Sequence, residues 1–184
     1  MFAVYSYNPI RKSDLYNVAR KIFREEDEMP LFDKAVTQCE HKLSRLLIDE
    51  NTGYIAGFAL VCKKPTKYYF KFMKSIPNCY ELAFLGVSPE YQGCGIGSRL
   101  LKETLLELSQ LASAYTCWLL VDTINEGAIR LYERVGFRRW RKTDEGKTPL
   151  PGYIMGISKS PYYTRSAFAQ QNTGLLSKTS LLAE

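Results

Sequence analysis

The sequence predicts an α/β fold, one sheet with helices packed against it. Three observations lead there. Seven short apolar segments and four longer amphipathic ones follow one another in the order β-α-α-β-β-β-α-β-α-β-β. The near-continuous apolar run over residues 116–121 has the character of a buried central strand. The apolar run over residues 80–87 leads through a glycine-rich turn straight into an amphipathic helix.

Residues 2–7 alternate well enough for a first strand. Ser13 and Asp14 then read as the cap of a helix whose apolar stripe is Leu15, Val18, Ala19, Ile22 and Phe23. The acidic run Glu25-Glu26-Asp27-Glu28 follows and is ended by Pro30, and residues 32–43 hold a second helix. Residues 46–49 and 54–62 are strands joined by Glu50-Asn51-Thr52-Gly53, a sequence suited to a hairpin turn. Residues 63–77 form a basic, aromatic connection into the strand at 80–87. The helix over 95–112 carries Ile96, Leu100, Leu101, Leu105 and Leu108 on one face. After the strand at 116–121, residues 125–134 form a short helix stopped by Gly136. Residues 137–142 and 153–158 are the last two strands. Residues 1–159 are thus expected to be one domain. Residues 160–184, rich in Ser, Thr, Gln and Ala, read as a tail that a compact fold does not need.

A chain of 184 residues with 46% hydrophobic and 13% aromatic content suits a single folded domain with a real core. No apolar stretch approaches the roughly 20 residues that cross a bilayer. No basic-then-apolar leader opens the chain. A cytoplasmic place is expected, with the nucleus left open, and no membrane partner. The five cysteines are dispersed and form no C-x-x-C pair, so reduced thiols are expected and a metal site is not. The net charge of +6 is compatible with an anionic cofactor or with nucleic acid. Oligomeric state is not encoded in any of these features.

The turn after residue 87 carries the chemistry. Gly93, Gly95 and Gly97 alternate there, letting the backbone come close to a ligand and expose its N–H groups. The helix that follows aims its positive end at the same spot, an arrangement that binds phosphate. A P-loop requires Lys and then Ser or Thr after its last glycine, but Gly97 is followed by Ser98 and Arg99. The dinucleotide fingerprint requires glycine at position 98 or 100, where this chain has Ser98 and Leu100. The pattern that fits is Q-x-x-G-x-G, read as Gln92, Gly95 and Gly97, five residues past the strand's end at Val87. It resembles the acetyl-CoA-binding motif of the GCN5-related N-acetyltransferase (GNAT) superfamily. A second stretch, Asn125-Glu126-Gly127-Ala128-Ile129-Arg130-Leu131-Tyr132-Glu133-Arg134-Val135-Gly136-Phe137, is similar to the N-x-x-A-x-x-L-Y-x-x-x-G-F signature of many members. The resemblance is strongest over residues 80–140 and extends more loosely over 2–159. It implies the GNAT fold, a mixed, mostly antiparallel central sheet flanked by helices, and acetyl-CoA as the acetyl donor.

Carried over residue by residue, the resemblance implies that main-chain N–H groups from Gln92 through Ser98 (Gln92, Gly93, Cys94, Gly95, Ile96, Gly97 and Ser98) hold the pyrophosphate. It also implies that the backbone of Leu85, Gly86 and Val87 pairs with the pantetheine arm like an added strand. Asn125 either contacts the cofactor or caps its own helix. Arg99 either lies near a phosphate or is an exposed helix residue.

Acetyl transfer to an amine requires a deprotonated amine, hydrogen-bond donors for the oxyanion and a proton for the departing thiolate. Glu81 is the candidate base. Strand alternation places Glu81, Ala83, Leu85 and Val87 on one face, and Leu82, Phe84 and Gly86 on the other. A carboxylate among apolar residues is costly to bury, and burial strengthens it as a proton acceptor. Its position, six residues before Val87, is similar to that of the catalytic glutamate in the histone-acetylating branch of the superfamily. The alternative is a carboxylate at a water-filled strand end, paired with a Lys or Arg. Tyr132 is the candidate acid, since the equivalent tyrosine reaches the cofactor sulfur in many members; the alternative is an aromatic wedge between helix and sheet. His41, the single histidine, reads as a surface residue. Cys94 occupies a variable slot in the turn and is not read as a nucleophile.

The acidic run attracts a cationic amine or is plain solvated surface. Lys63, Lys64, Lys67, Lys71 and Lys74, interleaved with Tyr68, Tyr69, Phe70 and Phe72, read as a basic loop flanking an anionic cofactor or partner protein. The segment from Arg138 to Lys142 alternates like an exposed strand. Nucleic acid is not expected as a direct substrate. The expected activity is acetyl-CoA-dependent N-acetyl transfer by direct attack in a ternary complex. The acceptor is open between a protein amine, lysine or N-terminus, and a small amine such as a polyamine. A second class of function is a non-catalytic module on the same fold that binds acyl-CoA or nucleic acid.

Overall fold

The computed structural model describes residues 1–23, 26–66, 70, 73, 75–143 and 151–159. Glu25 of the acidic run, Lys67, Tyr68, Tyr69, Lys71, Phe72 and Lys74 of the basic connection, and the tail at 160–184 lie outside the described residues. The elements are β1 (Phe2–Ser6), α1 (Lys12–Ile22), α2 (Met29–Gln38), β2 (Arg45–Asp49), β3 (Ile55–Cys62), β4 (Cys79–Val87), α3 (Ile96–Leu111), β5 (Tyr115–Asp122), α4 (Glu126–Val135), β6 (Arg138–Thr143) and β7 (Gly152–Lys159). The strands form one sheet in the order β1-β2-β3-β4-β5-β7-β6. Every neighbouring pair is antiparallel except β4 and β5. This is the mixed, mostly antiparallel sheet that the sequence predicts.

Two helix starts differ from expectation. Ser13 and Asp14 do not cap α1. The Asn8 side chain accepts from the Ile10 amide at 3.0 Å and organises a 3-10 turn over Pro9–Arg11, which runs directly into the helix. Asp14 sits inside the first turn, 2.9 Å from the Arg11 guanidinium. Pro30 does not end a segment either. It occupies the first turn of α2, where its missing N–H has no intrahelical partner to lose. That helix stops at Gln38 rather than continuing to residue 43, because Cys39 turns extended and bridges to Cys62 at the end of β3.

Both sheet faces are covered. On one, α3 and α4 bring Leu100, Leu101, Leu108, Ile129 and Tyr132 onto the sheet. On the other, α1 and α2 bring Leu15, Val18, Phe32 and Val36 onto Phe58 and Leu60. Phe23, Phe32, Phe58 and Phe84 interlock there, with ring centroids 5.0–6.1 Å apart. β3 is buried along its whole length. At one edge of the sheet β6 exposes Arg138, Arg139, Arg141 and Lys142; such charges keep a free strand edge from pairing with another chain.

The β3–β4 ladder contains an irregularity that matters for the site. Leu60 faces Phe84 and the next residue, Val61, faces Leu82, so Ala83 is an extra residue on β4. Directly opposed residues share a face. Cys62, Leu60 and Phe58 belong to the α1/α2 side, which puts their partners Glu81, Phe84 and Gly86 there too. Val61, Ala59 and Gly57 place Leu82, Leu85 and Val87 on the α3 side. Glu81 therefore does not share a face with Leu85 and Val87 as strict alternation requires, because the bulge at Ala83 inverts the phase once.

Candidate active site

β4 and β5 pair over three residues only: Cys79 with Thr116, Tyr80 with Cys117 and Glu81 with Trp118. Beyond Glu81, β4 keeps β3 as its strand partner and β5 keeps β7. A gap thus opens between two strands in the middle of the sheet. Leu85, Gly86 and Val87 run along it, and the glycine turn follows at its end.

In that turn Gly93 and Gly95 adopt φ values of +79° and +75°, which L side chains rarely tolerate, and nothing stands within 4 Å of where a Cβ would be. They serve backbone shape and open access. Gly97 serves packing: a Cβ there would lie 2.9 Å from Cδ2 of Leu131, so its absence lets α3 approach α4. Among the described residues, the N–H groups of Gly93, Cys94, Gly95, Ile96, Gly97 and Ser98 donate to no acceptor in the protein; the helical ladder begins with the Arg99 amide on the Gly95 carbonyl at 3.1 Å. Gln92 departs from the expected set, since its amide donates to the Pro89 carbonyl at 3.4 Å. Its side-chain Nε2 donates to the Val87 carbonyl at 3.3 Å and fastens the turn to the strand. The arrangement can offer an anion six main-chain donors and a helix dipole. Arg99 donates to the Phe2 carbonyl at 2.9 Å and so ties α3 to β1. Cys94 is exposed and the other four cysteines are buried.

Glu81 is 3% exposed. Both of its oxygens accept from one residue: Oε2 from the Thr66 amide at 2.6 Å and Oε1 from the Thr66 hydroxyl at 3.0 Å. Thr66 is itself 2% exposed, and Lys34 on α2 donates to its carbonyl. The thiols beside Glu81 respond to burial and to its charge. Burial pushes Cys117 up to about 12, with Cys79 and Glu81 adding to it. Cys62 is raised by burial first and by Glu81 next. Nothing in the local pattern of the connection at 63–77 singled out Thr66. Its partner lies in the following strand, and a hydrogen bond across a loop leaves no periodicity to read.

Tyr132 lies on α4, 8% exposed, with its ring 5.8 Å from that of Phe137. Its hydroxyl donates to no acceptor among the described residues, and burial, then the nearby Cys117, raises it above the ordinary phenol range. It stays protonated at neutral pH. Asn125 caps α4 by accepting from the Ala128 amide at 3.1 Å. His41 is exposed, its ring edge-on to Tyr7 at 5.3 Å. A cavity of about 450 Å³ lies on the α1 side of the end of β4, lined by Asp14, Asn17, Lys21, Tyr54, Ser88 and Glu90 among others. Lys21 and Glu90 meet there at 2.8 Å. Among the described residues no three His, Cys, Asp or Glu side chains converge as metal ligands, and no helix is long and apolar enough to cross a membrane.

Comparison with known proteins agrees with this geometry. The model of the Acetyltransferase (GNAT) family matches residues 12–137. N-alpha-acetyltransferase RimI of Mycobacterium tuberculosis is 47% identical over 63 residues, 34% of this chain and 37% of that protein. Mycothiol acetyltransferase of Nocardiopsis dassonvillei is 47% identical over 62 residues, 33% of this chain and 18% of that protein. The chain thus spans well under half the length of these curated relatives. Among solved structures, the ribosomal-protein-S18-alanine N-acetyltransferase from Escherichia coli superposes with a TM-score of 0.66 at 23% identity, over 90% of this chain and 98% of that one. Arabidopsis thaliana Naa50, in complex with the bisubstrate analogue CoA-Ac-MVNAL, superposes with a TM-score of 0.63 at 20% identity, over 85% and 97%.

Proposed function

The chain belongs to the GNAT acetyltransferase family, and from that premise we propose that it is an N-acetyltransferase that moves an acetyl group from acetyl-CoA to a primary amine by direct attack in a ternary complex. The observation that carries this reading is the row of six uncommitted N–H groups from Gly93 to Ser98, set at the end of a strand that has lost its neighbour. A diphosphate fits such donors, and a pantetheine arm fits the unpaired edge along Leu85, Gly86 and Val87 as an added strand would. Asn125 keeps a side-chain amide group free to face that arm while its oxygen caps α4.

Acetyl-CoA supplies, when bound, a thioester reactive toward amines. The chain's own part is proton handling and alignment. Glu81, held by Thr66, accepts a proton from the incoming ammonium, directly or through water. Tyr132, still protonated because it is buried, donates toward the departing sulfur. The acceptor we favour is the α-amine of a protein N-terminus. Its ordinary pKa of about 7.7–8.0 lies far below the roughly 10.4 of a lysine side chain, so less work is asked of the base. The names of the RimI relative and of the S18-alanine enzyme support this choice. The mycothiol acetyltransferase relative supports a small-molecule acceptor as second choice. Residues 1–159 suffice for this chemistry in our reading, and a cytoplasmic place suits it.

Titration calorimetry with acetyl-CoA, followed by mass spectrometry of products from a mixed library of N-terminal peptides, lysine peptides and polyamines, tests the proposal. Saturable heat and acetylated α-amines are expected. An absence of heat would overturn the donor assignment; saturable heat with no acetylated product would leave a non-catalytic binder.

A further inference from the structure

Thr66 contacts the Glu81 carboxylate with both its main chain and its side chain. The contact is buried, and a serine or threonine with a free amide is required to make both halves of it. We infer that Thr66 is a positioning residue for the transfer reaction, orienting the buried Glu81 carboxylate by donating to both of its oxygens; this rests on the reading of Glu81 as the base.

The physical case has three parts. Burial of Glu81 to 3% exposure disfavours the charged carboxylate. Two donors from Thr66 oppose that, because hydrogen bonds to the charged form favour it. Several titratable groups among the described residues lie near the carboxylate. Cys62 across the β3 ladder and Cys117 on β5 are thiols that its charge pushes further from ionising. Glu40, which also acts on Cys62, carries the same sign as Glu81. Among the described residues Lys34 is a cation on this side, and it is joined to Glu81 through the Thr66 carbonyl. The three residues form a chain from α2 to β4: the Lys34 ammonium fixes the Thr66 backbone, and Thr66 fixes both carboxylate oxygens. With both oxygens anchored, the carboxylate plane has one orientation, and its remaining lone pairs point in set directions.

The pH dependence of kcat/KM for the acetylated amine tests the inference, measured on the full chain for the native protein, Thr66→Val, Thr66→Ser and Glu81→Gln. Thr66→Val keeps the amide and the shape but loses the hydroxyl. It is expected to lower kcat roughly tenfold, to leave acetyl-CoA binding by calorimetry unchanged, and to move the acid limb of the profile upward by about one pH unit. Thr66→Ser is expected to restore both rate and limb. A packing defect alone would lower the rate without moving the limb. If Thr66→Val does not fold, Thr66→Ala carries the same expectation, with acetyl-CoA binding as its check on folding. An acid limb that stays in place in the folded variant while Glu81→Gln abolishes it would overturn the role of Thr66 and leave Glu81 as base. A Glu81→Gln profile identical to the native one would overturn both.

Discussion

Glu81 and Val87 stand on the same strand, β4, and turn their side chains to opposite faces of the sheet, because Ala83 adds one residue between them. The consequence reaches the proposed chemistry. Tyr132 belongs to the core on the α3 and α4 side, with Leu82. Glu81 belongs to the α1 and α2 side. In the proposed mechanism the base and the acid therefore act from opposite faces of the sheet, and the Glu81 carboxylate is oriented by its two hydrogen bonds from Thr66.

Tyr132→Phe removes one hydroxyl and little volume. Turnover is expected to fall roughly a hundredfold, while acetyl-CoA affinity by calorimetry stays within about twofold of native. The ring contact with Phe137 survives the change, so the melting temperature should barely move. A parallel loss of affinity and rate would assign the residue to packing alone.

Gly97→Ala places a methyl 2.9 Å from Leu131 Cδ2. Urea unfolding should stay within about 1 kcal/mol of native, because the flexible Leu131 tip can turn aside and the helix gain of alanine offsets the crowding. In a double-mutant cycle, Leu131→Ala makes room for the new methyl, so the pair should be less destabilised than the sum of the two single changes. Gly93→Ala meets no atom but keeps φ at +79°. Its cost, about 1–2 kcal/mol of backbone strain, should show no coupling to Leu131. Equal coupling at both glycines would refute the distinction between them.

Cys117 gives the fold an alkaline weakness. Burial holds its thiol protonated up to about 12, against an unperturbed value of 9.0. Below the unfolded value both states carry the proton and stability is unaffected. Between the two values the unfolded chain ionises and the folded one does not, so stability falls as pH rises, by about 1.4 kcal/mol per pH unit for this thiol. Cys62, raised by burial from the same 9.0, acts in the same direction over the same range, and Tyr132 joins above its unperturbed value of 10.0. Urea midpoints from pH 8 to 11 should decline, and Cys117→Ala should decline less steeply. Superimposable slopes would remove Cys117 from the account.

Most of the fold is legible in the sequence because its elements advertise themselves locally. The apolar period of α3, the cap Asn125 of α4 and the run that becomes β5 each need only near neighbours to be read. The same holds for the turn at Gly93 and Gly95. What escaped depends on distant partners. The bulge at Ala83 arises from β3 packing against β4 and breaks the alternation on which the face of Glu81 was judged. Thr66 has meaning only through a carboxylate fifteen residues away. Arg99 is engaged by a carbonyl on β1, at the other end of the chain from its own motif. Pro30 has two opposite readings, helix breaker and helix starter, and the choice between them is made by the packing of Phe32 against the sheet.

The sheet is two leaves stitched at one end by three residue pairs. Elsewhere in it, strand spacing is dictated by main-chain hydrogen bonds and cannot be adjusted. Past Glu81 that constraint is lifted, and the two leaves are held by the core packed on their faces. Leu82, Leu85, Leu119 and Val121 belong to that packing. If the acyl donor sits in this gap as proposed, substitutions among them are expected to alter the size of acyl group admitted, while the stitched end preserves the register of everything else.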